Sequence, residues 1–283
     1  MKFTVPNDST VFEALSLAYP DCSKTTLRSW LKEGRVLVDG RVVKVGKEGV
    51  RKGQVIALGP RSRYIGEEIQ VLYQDRYLIA IDKPEGFLSV PTAFEKEKTA
   101  HAFLKKELTP KKVYIVHRLD QDTSGVMIFA LNKEAQERLK DMFKEHAIER
   151  RYVAIVEGSL EKKAGTWQSY LIEDANYVVH STKDKERGQL AITHYEVRGR
   201  SKKHSWLDLR LETGKKNQIR VHCTDAGHPV AGDRKYGAKS NPIRRLCLHA
   251  CHLSFRHPMT KKILRFDSPV PERFYRIVEP KVE

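Results

Sequence analysis

The ten-residue stretch Val116-His117-Arg118-Leu119-Asp120-Gln121-Asp122-Thr123-Ser124-Gly125 holds two carboxylates, an imidazole, a guanidinium and two hydroxyls. A carboxylate supplies a nucleophile or a general base, an imidazole a proton carrier, and a guanidinium a rigid fork for a carboxylate or phosphate. Strand-sized apolar runs flank the stretch, Val113 to Val116 before it and Val126 to Leu131 after it. It therefore reads as a loop fixed at both ends by a sheet, the setting in which catalytic residues concentrate. Residue type alone leaves several readings open. Thr123 and Ser124 suit a turn that Gly125 completes with a positive φ. Asp122 suits the same turn with no chemistry. His117 with Asp120 suits a hydrolase dyad, although no G-x-S-x-G nucleophile motif accompanies it.

The elements around this loop fall into two blocks. In the first, Thr10 with Glu13 three residues later is a capping-box signature. Val11, Phe12, Leu15 and Ala18 follow at helical spacing, and Pro20 ends that helix. Ser23 caps a second helix with Leu27, Trp30 and Leu31 on one face, and Gly34 stops it. Asp39-Gly40 between Val36–Val38 and Val42–Val43 is a strong hairpin signal, and Val55 to Leu58 adds a strand. Lys24, Arg28 and Lys32, spaced four apart, form one basic helix stripe. It suits an RNA backbone or an ordinary solvated face equally well. Residues 59–63 read as a linker, so the predicted domains are 1–60, a small α/β module, and 61–283. Ile69 to Tyr73, Tyr77 to Ile81 and Tyr152 to Val156 are further strand candidates, and Lys133 to His146 is an amphipathic helix. Later strands succeed one another without helices between them. The larger domain is therefore predicted to be α+β with a mixed, largely antiparallel sheet.

Charge narrows the partners. There are 52 Lys and Arg against 36 Asp and Glu, a net charge of +16, which builds a field that attracts polyanions, nucleic acid above all. No stretch approaches the ~20 apolar residues of a membrane span, and Asp8 and Glu13 interrupt any signal-peptide core. Four cysteines are too sparse for a disulfide framework. A cytoplasmic protein is expected. Cys247, His249, Cys251 and His252 are zinc-ligand types, but they lack paired C-x₂-C spacing, and three of them would share one strand face. No metal is expected there, and His249 is assigned to packing and hydrogen bonding.

Two resemblances add to this reading. Residues 23–43 are similar to the alpha-L RNA-binding motif of S-four-like domains, which implies that residues 8–58 bind RNA. His117-Arg118-Leu119-Asp120, Asp122 and Thr123-Ser124-Gly125 together resemble the signature loop of RluA-type pseudouridine synthases. Asp75, Tyr77, Asp82-Lys83-Pro84 and Gly86 resemble that family's first motif, and Arg151-Tyr152, Ala154, Val156 and Gly158 its second conserved strand. Thr213-Gly214, Gln218-Ile219-Arg220-Val221-His222 and Gly232-Asp233 resemble its third motif, and Leu248-His249-Ala250 to Pro269 and Pro271 its C-terminal segment. Gln121 and Lys216-Asn217 depart from the family's usual residues and bear on RNA preference.

The resemblance implies cofactor-free isomerisation of uridine in ribosomal or transfer RNA, on a base extruded from its stack. It makes Asp120 the nucleophile, attacking ribose C1′ or base C6, with Arg220 as the opposed cation. Tyr152 would stack on the uracil, its phenol helping to remove the C5 proton, and Ile219 would pack on the other side. Arg118 and His117 would fill the vacated space or contact phosphate. A monomer suffices for this chemistry. The competing readings are an idle RNA-binding factor that kept the fold and a metal-dependent RNA-processing enzyme.

Overall fold

The computed structural model describes residues 2–59, 63–65, 69–92, 95–108 and 112–280. It divides into two compact units, Met1–Tyr64 and Ile65–Glu283. Of the predicted linker, residues 60–62 lie outside the described residues.

The first unit runs β1 (Lys2–Thr4), β2 (Ser9–Thr10), α1 (Val11–Ala18), α2 (Lys24–Lys32), β3 (Val36–Val38), β4 (Arg41–Val43), β5 (Gly49–Val50) and β6 (Val55–Leu58). Its sheet has the order β1-β6-β3-β4. The capping box forms as the sequence predicts: the Thr10 hydroxyl accepts from Glu13 N (3.3 Å), and the Glu13 carboxylate accepts from Thr10 N (2.8 Å). Ser23 caps α2 by accepting from Thr26 N at 3.1 Å. At the β3–β4 turn both Asp39 (φ 48°) and Gly40 (φ 82°) are left-handed, as a two-residue hairpin requires. The Asp39 carboxylate also accepts from Val55 N (2.8 Å) and ties the turn to β6. Leu15, Leu27, Leu31 and Val36 close the core beneath.

After β7 (Arg63–Ile65), the second unit runs β8 (Ile69–Gln74), β9 (Leu78–Lys83), α3 (Ala100–Glu107), β10 (Tyr114–Ile115), β11 (Ser124–Ala130), α4 (Lys133–Lys144) and β12 (Glu149–Glu157). It continues through β13 (Ala164–Glu173), β14 (Val179–Thr182), β15 (Gln189–Arg200), β16 (His204–Leu211) and α5 (Gln218–Asp225) to a 3₁₀ turn at Arg234–Tyr236. Then come β17 (Leu248–Arg256), β18 (Ile263–Asp267) and α6 (Glu272–Tyr275). One large sheet has the order β14-β13-β15-β16-β12-β17-β11-β9-β8, with β10 added to β11 and β18 to β17. These pairings are antiparallel except β11 with β17, which is parallel. The α+β class and the largely antiparallel sheet are as predicted.

The central strands are buried on both faces, which is why they read as continuous apolar runs. Ile79, Ile81, Met127 and Phe129 pack with Leu104 of α3. The alternate residues Leu78, Ala80, Ile128 and Ala130 pack with Ala135 and Leu139 of α4. The predicted helix to His146 stops at Lys144, and His146 itself is left-handed (φ 57°).

Candidate active site

The loop between β10 and β11 is pinned along its length. Ser89 grips Leu119 twice, its hydroxyl donating to Leu119 O (2.6 Å) and accepting from Leu119 N (3.0 Å). Thr123 N donates to Asp120 O (3.1 Å), which closes a turn over residues 120–123. Beneath that turn lies Lys83, fully buried, with its Nζ donating to the carbonyls of Pro84 (2.9 Å), Phe87 (2.7 Å) and Gln121 (3.0 Å). Burial pulls the Lys83 pKa down to about 7, against the pull of Asp122 and Asp120. Three carbonyl acceptors match the three protons of an ammonium, so the geometry suits the charged form that dominates below pH 7.

Where the loop enters β11, Ser124 Oγ accepts a hydrogen bond from Arg245 Nη2 (2.8 Å) and faces His249 Nδ1 (2.8 Å). His249 Nε2 faces the Ser268 carbonyl (3.2 Å), which only accepts. Nε2 therefore carries the hydrogen, and Nδ1 accepts from Ser124. Burial holds the His249 pKa down near 4, consistent with a neutral ring. Arg245 pairs with Glu85 on its far side. Gly125 must be glycine, because its φ is +116° and a Cβ there would lie 2.2 Å from Ala250 O across the parallel β11–β17 pairing.

Asp120 opens into a cleft that Arg118, Tyr152, Lys215, Ile219 and Arg220 help to line. Arg220 projects from α5, whose first residue follows the left-handed Asn217 (φ 54°). Its Nη1 reaches Asp120 Oδ2 at 3.3 Å and Asn217 Oδ1 at 3.2 Å. Its main partner is Asp233, which accepts from Nε at 2.6 Å and Nη2 at 2.8 Å in a two-pronged pair. Burial alone would lower the Arg220 pKa, but the hydrogen bonds and charge of Asp233, then of Asp120, raise it, so it remains a cation. Tyr236 lies under the guanidinium, with 4.8 Å to the ring centroid. Asn217 Nδ2 donates to the Tyr236 hydroxyl (2.9 Å). The site thus presents a carboxylate on a fixed turn, one N–H directed at it, and an aromatic and an aliphatic side chain among its lining.

Residues 77–225, more than half of the chain, match the family model described as RNA pseudouridylate synthase. The chain belongs to this family. A protein of Vibrio cholerae named ribosomal large subunit pseudouridine synthase D is 34% identical over 289 residues, covering 92% of this chain and 87% of that one. The protein of the same name in Escherichia coli K12 is 30% identical over 291 residues, covering 94% and 89%. Among solved structures, human RNA pseudouridylate synthase domain containing 1 superposes with a TM-score of 0.60 at 25% identity, covering 72% of this chain and 84% of that one. The enzyme class is therefore that of a pseudouridine synthase, an isomerase.

In this pseudouridine synthase the cleft brings together Asp120, Arg118, Tyr152, Ile219 and Arg220. His117 is not among the residues that line the cleft. Its Nε2 accepts from Ile128 N (3.0 Å), and its ring stacks on Phe143 of α4 at 4.6 Å, so it braces the loop against the core. Burial, reinforced by the nearby Arg150 guanidinium, holds its pKa down at about 3, which keeps the ring neutral. Tyr152 is half-buried, and burial pushes its phenol up to about 12. Lys24, Arg28 and Lys32 are exposed on α2 of the first unit and make no ion pair among the described residues.

Asp233, Lys83 and Ser89 carry site geometry that the sequence reading did not assign. Asp233 and Lys83 stood in the quoted motifs, yet only the tertiary fold shows which groups they bind. Among the described residues no group of three His, Cys, Asp or Glu is placed to hold a metal, and no helix is long and apolar enough to cross a membrane.

Proposed function

We propose that this enzyme isomerises uridine in large-subunit ribosomal RNA, the substrate that its relatives' names give, with Asp120 as nucleophile. The observation that carries the reading is the single N–H of Arg220 on Asp120, at the mouth of a cleft walled by Tyr152 and Ile219. The uridine enters extruded, because its reacting atoms are inaccessible within a stack. Asp120 forms a covalent adduct at C1′ or C6 while the C1′–N1 bond breaks. The uracil, held between Tyr152 and Ile219, turns so that C5 bonds to C1′, and the bond to Asp120 breaks to return the free carboxylate. C5 then loses its proton and N1 gains one, so atoms and electrons balance with no cofactor. Arg118, exposed at the cleft, occupies the space that the base leaves. Lys24, Arg28 and Lys32 hold RNA phosphates on the first unit, in line with its S-four-like sequence.

The test is tritium release from RNA labelled at uridine C5, comparing wild type with Asp120→Asn on ribosomal and transfer RNA separately. Release from ribosomal RNA by wild type alone supports the assignment, with Asp120→Asn still folded and binding. Near-wild-type release by Asp120→Asn would remove Asp120 as nucleophile. Release from transfer RNA only would move the substrate.

A further inference from the structure

The turn joining β13 to β14 presents an aromatic ring that neither the core nor the cleft uses. Asp174 builds the turn: its Oδ1 accepts from Asn176 N and Val178 N, both at 2.9 Å. Its backbone N–H donates to Val178 O (2.8 Å), and Tyr177 N donates to Asp174 O (3.0 Å). At the apex Tyr177 is left-handed (φ 60°), a conformation that costs a bulky residue about 1 kcal/mol or more. Its side chain is 74% exposed, more than any other large apolar side chain among the described residues. Burial therefore does not explain a tyrosine at this position.

Two lysines adjoin it. The Tyr177 carbonyl accepts from the ammoniums of Lys235 (3.3 Å) and Lys216 (3.5 Å). The Lys216 Nζ is 5.8 Å from the ring centroid and also pairs with Glu173. The turn is also tied to the cleft. Val179 N donates to the Tyr236 hydroxyl (3.3 Å), which receives Asn217 as well, and the Tyr236 ring underlies Arg220. Lys215, next to Lys216, lines the cleft itself.

We propose that Tyr177 with Lys216 and Lys235 forms a second RNA contact beside the cleft, in which the phenol ring stacks on an unpaired base flanking the target uridine. The two ammoniums face the adjoining phosphates. This rests on the RNA-substrate reading above. A rigid aromatic face among cations is the chemistry that single-stranded RNA takes, since every base has a stacking face and every linkage a charge. A protein-docking anchor would instead sit in a charge-depleted apolar patch.

The test measures the affinity of the full-length enzyme for a fluorescently labelled large-subunit RNA fragment containing single-stranded loops, together with tritium release from the same RNA. Tyr177→Ala and Tyr177→Leu should weaken binding about 5- to 150-fold, the range of one base–aromatic stack, with kcat within about twofold. Tyr177→Trp should bind at least as tightly as wild type. Tyr177→Gly removes the ring and suits the left-handed backbone, so it should lose affinity while thermal stability holds or rises. Tyr177→Ala within twofold of wild type in affinity would overturn the proposal. Tyr177→Leu at wild-type affinity would also overturn it, by showing a generic apolar contact such as a protein would make. Wild-type turnover with unchanged Tyr177→Ala binding refutes the platform and leaves the substrate reading standing. RNA binding without turnover by wild type refutes that reading, and the Tyr177 affinities still decide the platform.

Discussion

Replacing Asp233 by Asn tests how the site holds its arginine. The Asp233 carboxylate is 1% exposed and takes two N–H groups of Arg220, at 2.6 and 2.8 Å. Asn keeps one acceptor, which can still serve Tyr236 N, but it turns an NH₂ toward a guanidinium that only donates. Hydrogen bonds to charged groups contribute roughly 1.5–3 kcal/mol each. Removing one member of a buried pair costs roughly 3–5 kcal/mol. Arg220 can recover part of this by closing on Asp120, now 3.3 Å away, so about 3 kcal/mol is the expected loss. For a unit of this size that lowers Tm by about 6–12 °C. The same movement converts the loose Asp120 contact into a close pair, and kcat should fall about 100-fold, as for an ångström-scale misplacement. Urea unfolding followed by tryptophan fluorescence reads the first effect, and tritium release reads the second. A stability loss under about 1 kcal/mol with kcat within tenfold of wild type would refute the argument.

Two further outcomes follow from the loop and the buried imidazoles. Gly125→Ala should cost upwards of about 3 kcal/mol, because its methyl group meets the Ala250 backbone in the β11–β17 pairing; a urea midpoint near wild type would show that the strands part easily. His117, His222 and His249 have folded pKa values held by burial at about 3, 4 and 4, below the ordinary 6.5. Between pH 4 and 6.5 the unfolded chain therefore binds more protons than the folded one. Their stabilisation is full above pH 6.5 and declines as pH falls toward 4, by about 1.4 kcal/mol per unit for each ring. Unfolding free energies at pH 7.5 and 5 should differ by about 2 kcal/mol per histidine, with His222→Gln removing one share. A flat profile would show that these rings titrate freely.

Local chemistry was the legible part of this fold. The Thr10 and Ser23 caps and the Asp39-Gly40 turn are decided by residues within a few positions, so their signals survive in one dimension. The apolar runs that became β9 and β11 are continuous because both sheet faces are covered, by α3 and α4. By contrast β13 alternates exposed and partly buried residues along most of its length, and its sequence carries little apolar signal. The parallel register of Ser124 with His249 joins segments 125 residues apart, which no local pattern encodes. His117 shows a different limit. Its type and its place beside Asp120 suggested chemistry, and only the position of Phe143 reveals that the ring faces the core.

The division of Arg220 between two carboxylates explains how one cation can orient the proposed nucleophile without capturing it. Had Arg220 offered both prongs to Asp120, those oxygens would be tied in a buried pair, and forming a bond to carbon would mean breaking two charge-assisted hydrogen bonds first. Asp233 takes that geometry instead, and it can because it never has to move: it lies inside the unit and caps the 3₁₀ turn that carries Tyr236. Asp120 retains one contact at 3.3 Å on a side chain 24% exposed, within a turn whose backbone is fixed by Ser89, Lys83 and Gly125. The backbone supplies the precision and the long contact supplies the freedom. An RNA base can then approach a carboxylate that is aimed but not already satisfied.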